Sequence, residues 1–87
     1  MARVFIPPQL RDLTSGTAEL DLTAGDVRQV VTQLEERYPG IAARLVRDDE
    51  LAPNLQVSVD GVLSRRGLAA KLQPASEVHF LPIFGGG

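Results

Sequence analysis

Only one stretch of this chain has the periodicity of a long amphipathic helix, and that limits the folds open to it. Val27, Val30, Val31, Leu34 and Tyr38 recur at i, i+3, i+4, i+7 and i+11, one continuous apolar stripe. Arg28, Gln29, Gln33, Glu35, Glu36 and Arg37 cover the other side. Thr23 stands three residues before Asp26, a near relative of the capping box with Asp where Glu or Gln is usual, and Pro39-Gly40 ends the helix. The remainder of the chain reads as short strands and turns. One helix covers one face of a sheet, so the other face stays partly open.

The strands follow from alternation. Ala2 to Pro7 reads as a strand closed by Pro7-Pro8, with Ala2, Val4 and Ile6 on one face and Arg3, Phe5 and Pro7 on the other. A loop over Pro8 to Gly16 leads to Thr17 to Leu22, where Ala18, Leu20 and Leu22 share a side; this strand is expected to pair with the first as a hairpin. After the helix, Ile41 to Val46 predicts a short irregular turn with Ile41 and Leu45 inward. Arg47-Asp48-Asp49-Glu50 predicts a solvated charged loop. Leu55 to Val59 alternates again, and Asp60-Gly61 directly after it is a strong two-residue hairpin signal, because a type I′ turn needs positive φ at both positions. Val62 and Leu63 start the return strand. Leu68 to Leu72 predicts a short helical turn between turns at Arg65-Arg66-Gly67 and Gln73-Pro74-Ala75-Ser76. Glu77 to Pro82 is the last strand.

The order β-β-α-turn-β-β-turn-β describes a two-layer α+β domain. It is the β-grasp (ubiquitin-like) layout: a mixed sheet of four to five strands packed on one main helix. Residues 1–82 are expected to form the β-grasp domain and residues 83–87 a flexible glycine-rich tail. That tail, Ile83-Phe84-Gly85-Gly86-Gly87, reads by itself either as a frayed end or as a slender segment that threads into a narrow site with a carboxylate at its tip.

Composition removes other chemistries. With no cysteine, disulfides, thiolate-bound zinc, iron–sulfur clusters and cysteine nucleophiles are excluded. A net charge of −2 provides no footprint for nucleic acid. No apolar run nears the roughly 18 residues of a membrane span, and no signal peptide opens the chain, so no membrane partner and a cytoplasmic location are expected. The one histidine, His79, reads as a polar strand residue rather than a base or metal ligand, and no metal site is expected. No nucleophile–base pair stands out, so an independent enzyme is not expected.

Several residues together resemble the MoaD/ThiS-type ubiquitin-like sulfur carriers, over nearly the whole chain. They are the opening strand followed by Leu10-Arg11, the helix end Tyr38-Pro39-Gly40, the hairpin Val57-Ser58-Val59-Asp60-Gly61, and the closing Glu77-Val78-His79-Phe80-Leu81-Pro82 with Gly86-Gly87 at the end. The chain departs from the family pattern at Phe84, which is bulkier than usual, at Gly85, and at Ser76-Glu77 in the preceding turn. The resemblance implies a carrier, not an enzyme. A ubiquitin-activating-enzyme-like adenylyltransferase would use ATP to adenylate the Gly87 carboxylate, a sulfur donor would then produce a thiocarboxylate, and the sulfur would pass to an acceptor. That acceptor would be a molybdopterin synthase large subunit or a cysteine synthase type of enzyme, serving molybdenum cofactor or cysteine biosynthesis. The chain would bind no cofactor itself. Gly87 is then the reacting residue, with Gly86 beside it. Gly85 and Phe84 would enter the partner's cleft. A ubiquitin-like modifier, or an interaction module without sulfur transfer, is the alternative.

A partner surface is expected on the open face. If Val78, Phe80 and Pro82 face the helix, then Glu77, His79 and Leu81 face away; Phe5 and Pro7 share that face, and Val62 joins them. Such residues read either as a docking patch or as the scattered apolar residues found on most surfaces. The resemblance favours docking, since Leu81 matches a contact-forming position in the family. Arg11 matches a family arginine that would face a carboxylate of the activating enzyme; as a residue it is equally an ordinary solvated charge.

Overall fold

The computed structural model describes residues 1–83. Phe84, Gly85, Gly86 and Gly87, and with them most of the tail expected over 83–87, lie outside the described residues.

The chain opens with β1 (Ala2–Phe5) and β2 (Glu19–Leu22), antiparallel partners with Ala2 opposite Leu22 and Val4 opposite Leu20. Both strands are shorter than alternation alone predicts. Ile6 N–H donates to the Ala18 carbonyl at 2.8 Å, and the chain then turns into a 3-10 turn over Pro8–Leu10, where the Pro7 carbonyl accepts from Leu10 N–H at 2.9 Å. Pro7 is therefore buried under this turn and is absent from the open face, and Ala18 is exposed outside the pleat that would have turned it inward.

The helix α1 (Val27–Arg37) starts three residues later than Thr23 suggests. Its N-cap is Asp26, whose Oδ1 accepts from Gln29 N–H at 2.9 Å, while Gln29 Oε1 accepts from Gly25 N–H at 2.9 Å. An Asp-x-x-Gln pair satisfies the orphan donors, as a capping box does. Thr23 contributes only a carbonyl, which accepts from Gln33 Nε2 at 2.7 Å. Val27, Val30, Val31 and Leu34 are buried and Tyr38 half-buried, as the stripe requires. Beyond the helix, Glu35 reaches forward: its carboxylate accepts from Ala42 N–H at 2.9 Å and from Gly40 N–H at 3.1 Å. These bonds tie α1 to α2 (Ala42–Leu45), a single helical turn that buries Ile41 and Leu45.

The run expected as a charged loop forms a second, two-stranded sheet of β3 (Val46–Arg47) and β4 (Glu50–Leu51). Asp48 and Asp49 both take positive φ, at 53° and 63°, which is the type I′ geometry of a tight hairpin. Aspartate tolerates that region better than most residues, and two adjacent aspartates are a weaker signal for it than Asp-Gly. The run is exposed, as expected.

β5 (Leu55–Val59) and β6 (Val62–Ser64) form the Asp60-Gly61 hairpin, with φ of 53° and 84° at the turn. A 3-10 turn over Gly67–Ala69 follows, and then β7 (Glu77–Pro82). The five-stranded sheet has the order β2-β1-β7-β5-β6. β7 runs parallel to β1 and antiparallel to β5, so the last strand lies at the centre. This is the mixed β-grasp sheet. Val4, Val57, Val78 and Phe80, all at most 2% exposed, form its inner face and belong to one core with the α1 stripe.

The turn into β7 holds strain. Ser76 N–H donates to the Gln73 carbonyl at 3.0 Å, and Ala75, after Pro74, sits at φ 75°. This is the type II arrangement, whose third position favours glycine. The left-handed region costs a non-glycine residue about 1–2 kcal/mol, and glycine's extra unfolded-state entropy returns only part of that. Ala75→Gly is therefore expected to stabilise the fold by about 0.5–1 kcal/mol in urea unfolding. A second expectation concerns acid. The N–H groups of Ala42 and Gly40 hold the Glu35 carboxyl below the usual glutamate range. The stability this adds is complete above that range and is lost as the pH falls through the lowered folded value. Urea unfolding across a pH series should show wild type more stable than Glu35→Gln at neutral pH, with the gap closing in acid.

Candidate functional site

The open face is read off the strand register, since directly opposed residues share a face. One row crosses all five strands: Glu19 on β2, Phe5 on β1, His79 on β7, Ser58 on β5 and Leu63 on β6. On one side of it Asp21, Arg3 and Glu77 form a charged row. On the other side Leu81 stands opposite Gln56. At the centre the Phe5 ring lies flat on the His79 imidazole, with centroids 4.0 Å apart and planes 4° from parallel. This stack fixes both half-buried rings across the parallel β1–β7 pair.

Charge rims the patch on one flank only. Arg3 Nε donates to Asp21 Oδ1 at 3.2 Å and Arg3 Nη1 lies 3.7 Å from Glu19 Oε1. The hydrogen bond to Asp21, then the charges of Asp21 and Glu19, raise the Arg3 pKa. The opposite flank holds the uncharged pair Leu81 and Gln56, both half-buried, and Leu63 ends the central row at 55% exposed. From Leu81 the chain runs through Pro82 to Ile83, whose N–H donates to the Asn54 carbonyl at 2.8 Å. That bond carries the β5–β7 pairing one step past the last strand residue and fixes where the glycine-rich segment begins.

Of the residues expected on this face, Phe5 and Leu81 lie on it. Pro7 does not, for the reason given above. Val62 does not either: it pairs with Val59, so it lies on the helix side of the sheet, where the edge position leaves it 68% exposed. Leu63, opposite Ser58, takes the open-face position in its place. The hairpin carries the signal for this. A two-residue turn at Asp60-Gly61 forces the pairs Val59 with Val62 and Ser58 with Leu63, and Val57 and Val59 are the inward residues of β5. Arg11 is half-buried, and its Nε donates to the Ile6 carbonyl at 3.0 Å, so at least one edge of its guanidinium braces the first loop. Phe84, Gly85, Gly86 and Gly87 fall outside the described residues.

The face carries no built reaction centre among the described residues. No group of histidine and carboxylate side chains there has metal-ligand spacing. Ser58 and His79 are opposed, but the imidazole is stacked on Phe5, and the bonds holding the turns run elsewhere, from Ser76 Oγ and Glu77 N–H to the Asp60 carboxylate at 3.0 and 2.9 Å. Chemically, the face offers shape, an aromatic centre and a one-sided charge.

Comparison with known proteins extends this geometry. The family model described as the ThiS family matches residues 4–87. Small archaeal modifier protein 3 of Haloferax volcanii is 36% identical over 69 residues, covering 77% of this chain and 72% of that protein. Among solved structures, a chain of the Amycolatopsis orientalis BexX/CysO complex superposes with a TM-score of 0.91 at 30% identity, covering 100% of both chains. Mycobacterium tuberculosis CysO, described as an antigen, superposes with a TM-score of 0.87 at 27% identity, covering 97% of this chain and 100% of that one.

The register makes a direct prediction. Leu63→Ser and Leu81→Ser remove apolar groups from the open face and should change unfolding free energy by less than about 1 kcal/mol. Val57→Ser, at a fully buried inward position, should cost more than about 2 kcal/mol, because it leaves a cavity and an unpaired hydroxyl. Urea unfolding of the three variants checks the assignment of faces.

Proposed function

We propose that this chain, which belongs to the ThiS family, is a sulfur carrier whose Gly87 carboxylate is adenylated by an ATP-dependent activating enzyme and converted to a thiocarboxylate. The observation that carries this reading is the course of β7. The central strand leaves the sheet beside the Phe5–His79–Leu81 patch, is pinned at Ile83, and continues in sequence as Phe84-Gly85-Gly86-Gly87. Leu81 and His79 of the patch thus belong to the strand from whose end the glycine-rich sequence follows.

The chemistry assigns separate tasks. A carboxylate is a poor electrophile until it becomes an acyl-adenylate, and the enzyme that makes one must close around the acyl group. Glycines there present bare backbone. Four residues past Ile83 span at most about 14 Å when extended, enough to enter a cleft while the domain stays outside. The carrier needs no nucleophile, base or metal of its own. Phe5, Leu81 and Leu63 would meet the activating enzyme, and the same face would later meet the sulfur-accepting enzyme. The pairing of a related fold with a partner in the BexX/CysO complex supports an acceptor of that general kind. The Nη groups of Arg11, without a partner among the described residues, are a candidate contact.

A second reading is favoured by the likeness to a small archaeal modifier protein. In it the same activated Gly87 is passed to an amine and forms an amide.

Intact mass decides between them. After incubation with ATP, a sulfur donor and the activating enzyme, a sulfur carrier gains the mass difference between sulfur and oxygen at its C-terminus; amide-linked adducts in its place favour the modifier. Gly86→Leu should abolish either product while the unfolding curve stays unchanged. Full activation of that variant would sink the threading argument. Leu81→Arg should weaken activation and leave the fold intact.

A further inference from the structure

Of the nine lysine and arginine residues in this chain, Lys71 is the one lysine. This matters beside an activated carboxyl end. A guanidinium stays protonated at any accessible pH and offers no lone pair, whereas a lysine amine, once neutral, attacks acyl groups. The cationic side chains are thus almost wholly inert toward an acyl-adenylate, with Lys71 the single exception; the Met1 α-amine is the other amine of the chain.

The structure places that exception where a second molecule can reach it. Lys71 is exposed and takes part in none of the ion pairs among the described residues. Its backbone is held on both sides: Val27 N–H donates to the Ala70 carbonyl at 3.1 Å and Leu72 N–H to the Gly25 carbonyl at 3.0 Å. The side chain borders an open cleft with Val59, Val62, Leu63 and Arg66. Val59 and Val62 put most of this cleft on the helix side of the sheet, and Leu63, the open-face residue of the edge strand β6, forms part of its rim. The cleft is also next to the hairpin end of β5, whereas Ile83 is pinned at Asn54, just before the other end of that strand. A copy engaged through Phe5 and Leu81 therefore leaves Lys71 within reach, and the cleft and Ile83 lie toward opposite ends of β5.

We propose that Lys71 is the acceptor through which one copy of this chain is joined to the Gly87 end of another, so that polymers of the chain carry a single, head-to-tail linkage. The proposal rests on the activation of Gly87 described above. ATP and the adenylating enzyme convert the carboxylate to an acyl-adenylate and release pyrophosphate. The neutral Lys71 Nζ attacks the acyl carbon, a C–N bond forms, and the C–O bond to the phosphate breaks. AMP departs with the electron pair, and the surplus proton on nitrogen goes to solvent. No electrons are exchanged with an oxidant or reductant.

The test uses the full chain carrying a Gly87 thioester, made by intein cleavage, as a stand-in for the adenylate. It is incubated with an excess of untreated chain, and the products are digested with trypsin and sequenced by mass spectrometry. No lysine or arginine follows Lys71, so a true junction keeps residues 72–87 as a branch on Lys71. The expected result is a dimer with that branch, lost in Lys71→Arg acceptor whose unfolding curve matches wild type. A dimer that persists with Lys71→Arg, a branch carried by the Met1 α-amine, or no dimer at all would each overturn the proposal. Because the thioester arm bypasses activation, it decides Lys71 on its own. Failure of the activating enzyme to adenylate native Gly87 would instead count against the carrier reading.

Discussion

The molecule depends on a mismatch of areas: one helix stripe against a five-stranded sheet. Val27, Val30, Val31 and Leu34 share one core with the inner-face residues Val4, Val57, Val78 and Phe80, while the other side keeps Leu63 exposed and Phe5, His79 and Leu81 half-buried. Each of those core side chains contributes about 1.5–3 kcal/mol on burial, which is most of what a domain this small has to draw on. The outer face is left to be stabilised by pairwise contacts within the sheet. It does so with the Phe5–His79 stack and the Arg3–Asp21–Glu19 cluster, and Leu81 and Leu63 remain open. The open face is a consequence of how the core was closed.

Central placement of β7 sets the open face beside the point where the glycine-rich segment begins. Its parallel pairing with β1 and antiparallel pairing with β5 hold it on both edges. The Ile83–Asn54 bond prolongs that hold to the point where the glycine-rich segment starts. A segment that must enter another protein's site gains from a rigid origin, because less freedom is lost on engagement. The amine-poor surface fits the proposed activation: an acyl end so activated would survive longer beside guanidinium groups than beside ammonium groups that can lose a proton.

Legibility varied with the kind of signal. The α1 stripe and the Asp60-Gly61 turn were plain, because a period of 3.6 residues and paired positive φ angles each restrict the chain to few conformations. The helix start was misplaced at Thr23, because two hydrogen-bonding pairs compete within four residues and only the reach of Gln29 back to Gly25 selects Asp26. The hairpin at Asp48-Asp49 was hidden by its charge, which marks exposure well and backbone geometry poorly. Pro7 and Val62 were assigned by extending a strand's alternation past the point where pairing ends or restarts. The Ile6–Ala18 bond and the Val59–Val62 pair decide those positions.

By itself the sequence determined the class of fold, the single helix, the main hairpin and the chemistry that is absent, all of which follow from local periodicity, turn geometry and residue inventory. It also determined that thiolate chemistry is absent, since no cysteine is encoded. Only the tertiary structure decided which residues of β1, β7 and β5 stand beside one another on the open face, that Pro7 is buried away from it, and that Lys71 borders a cleft at the β6 edge. Faces depend on register between strands far apart in sequence, and a shift of one residue would have inverted each of them.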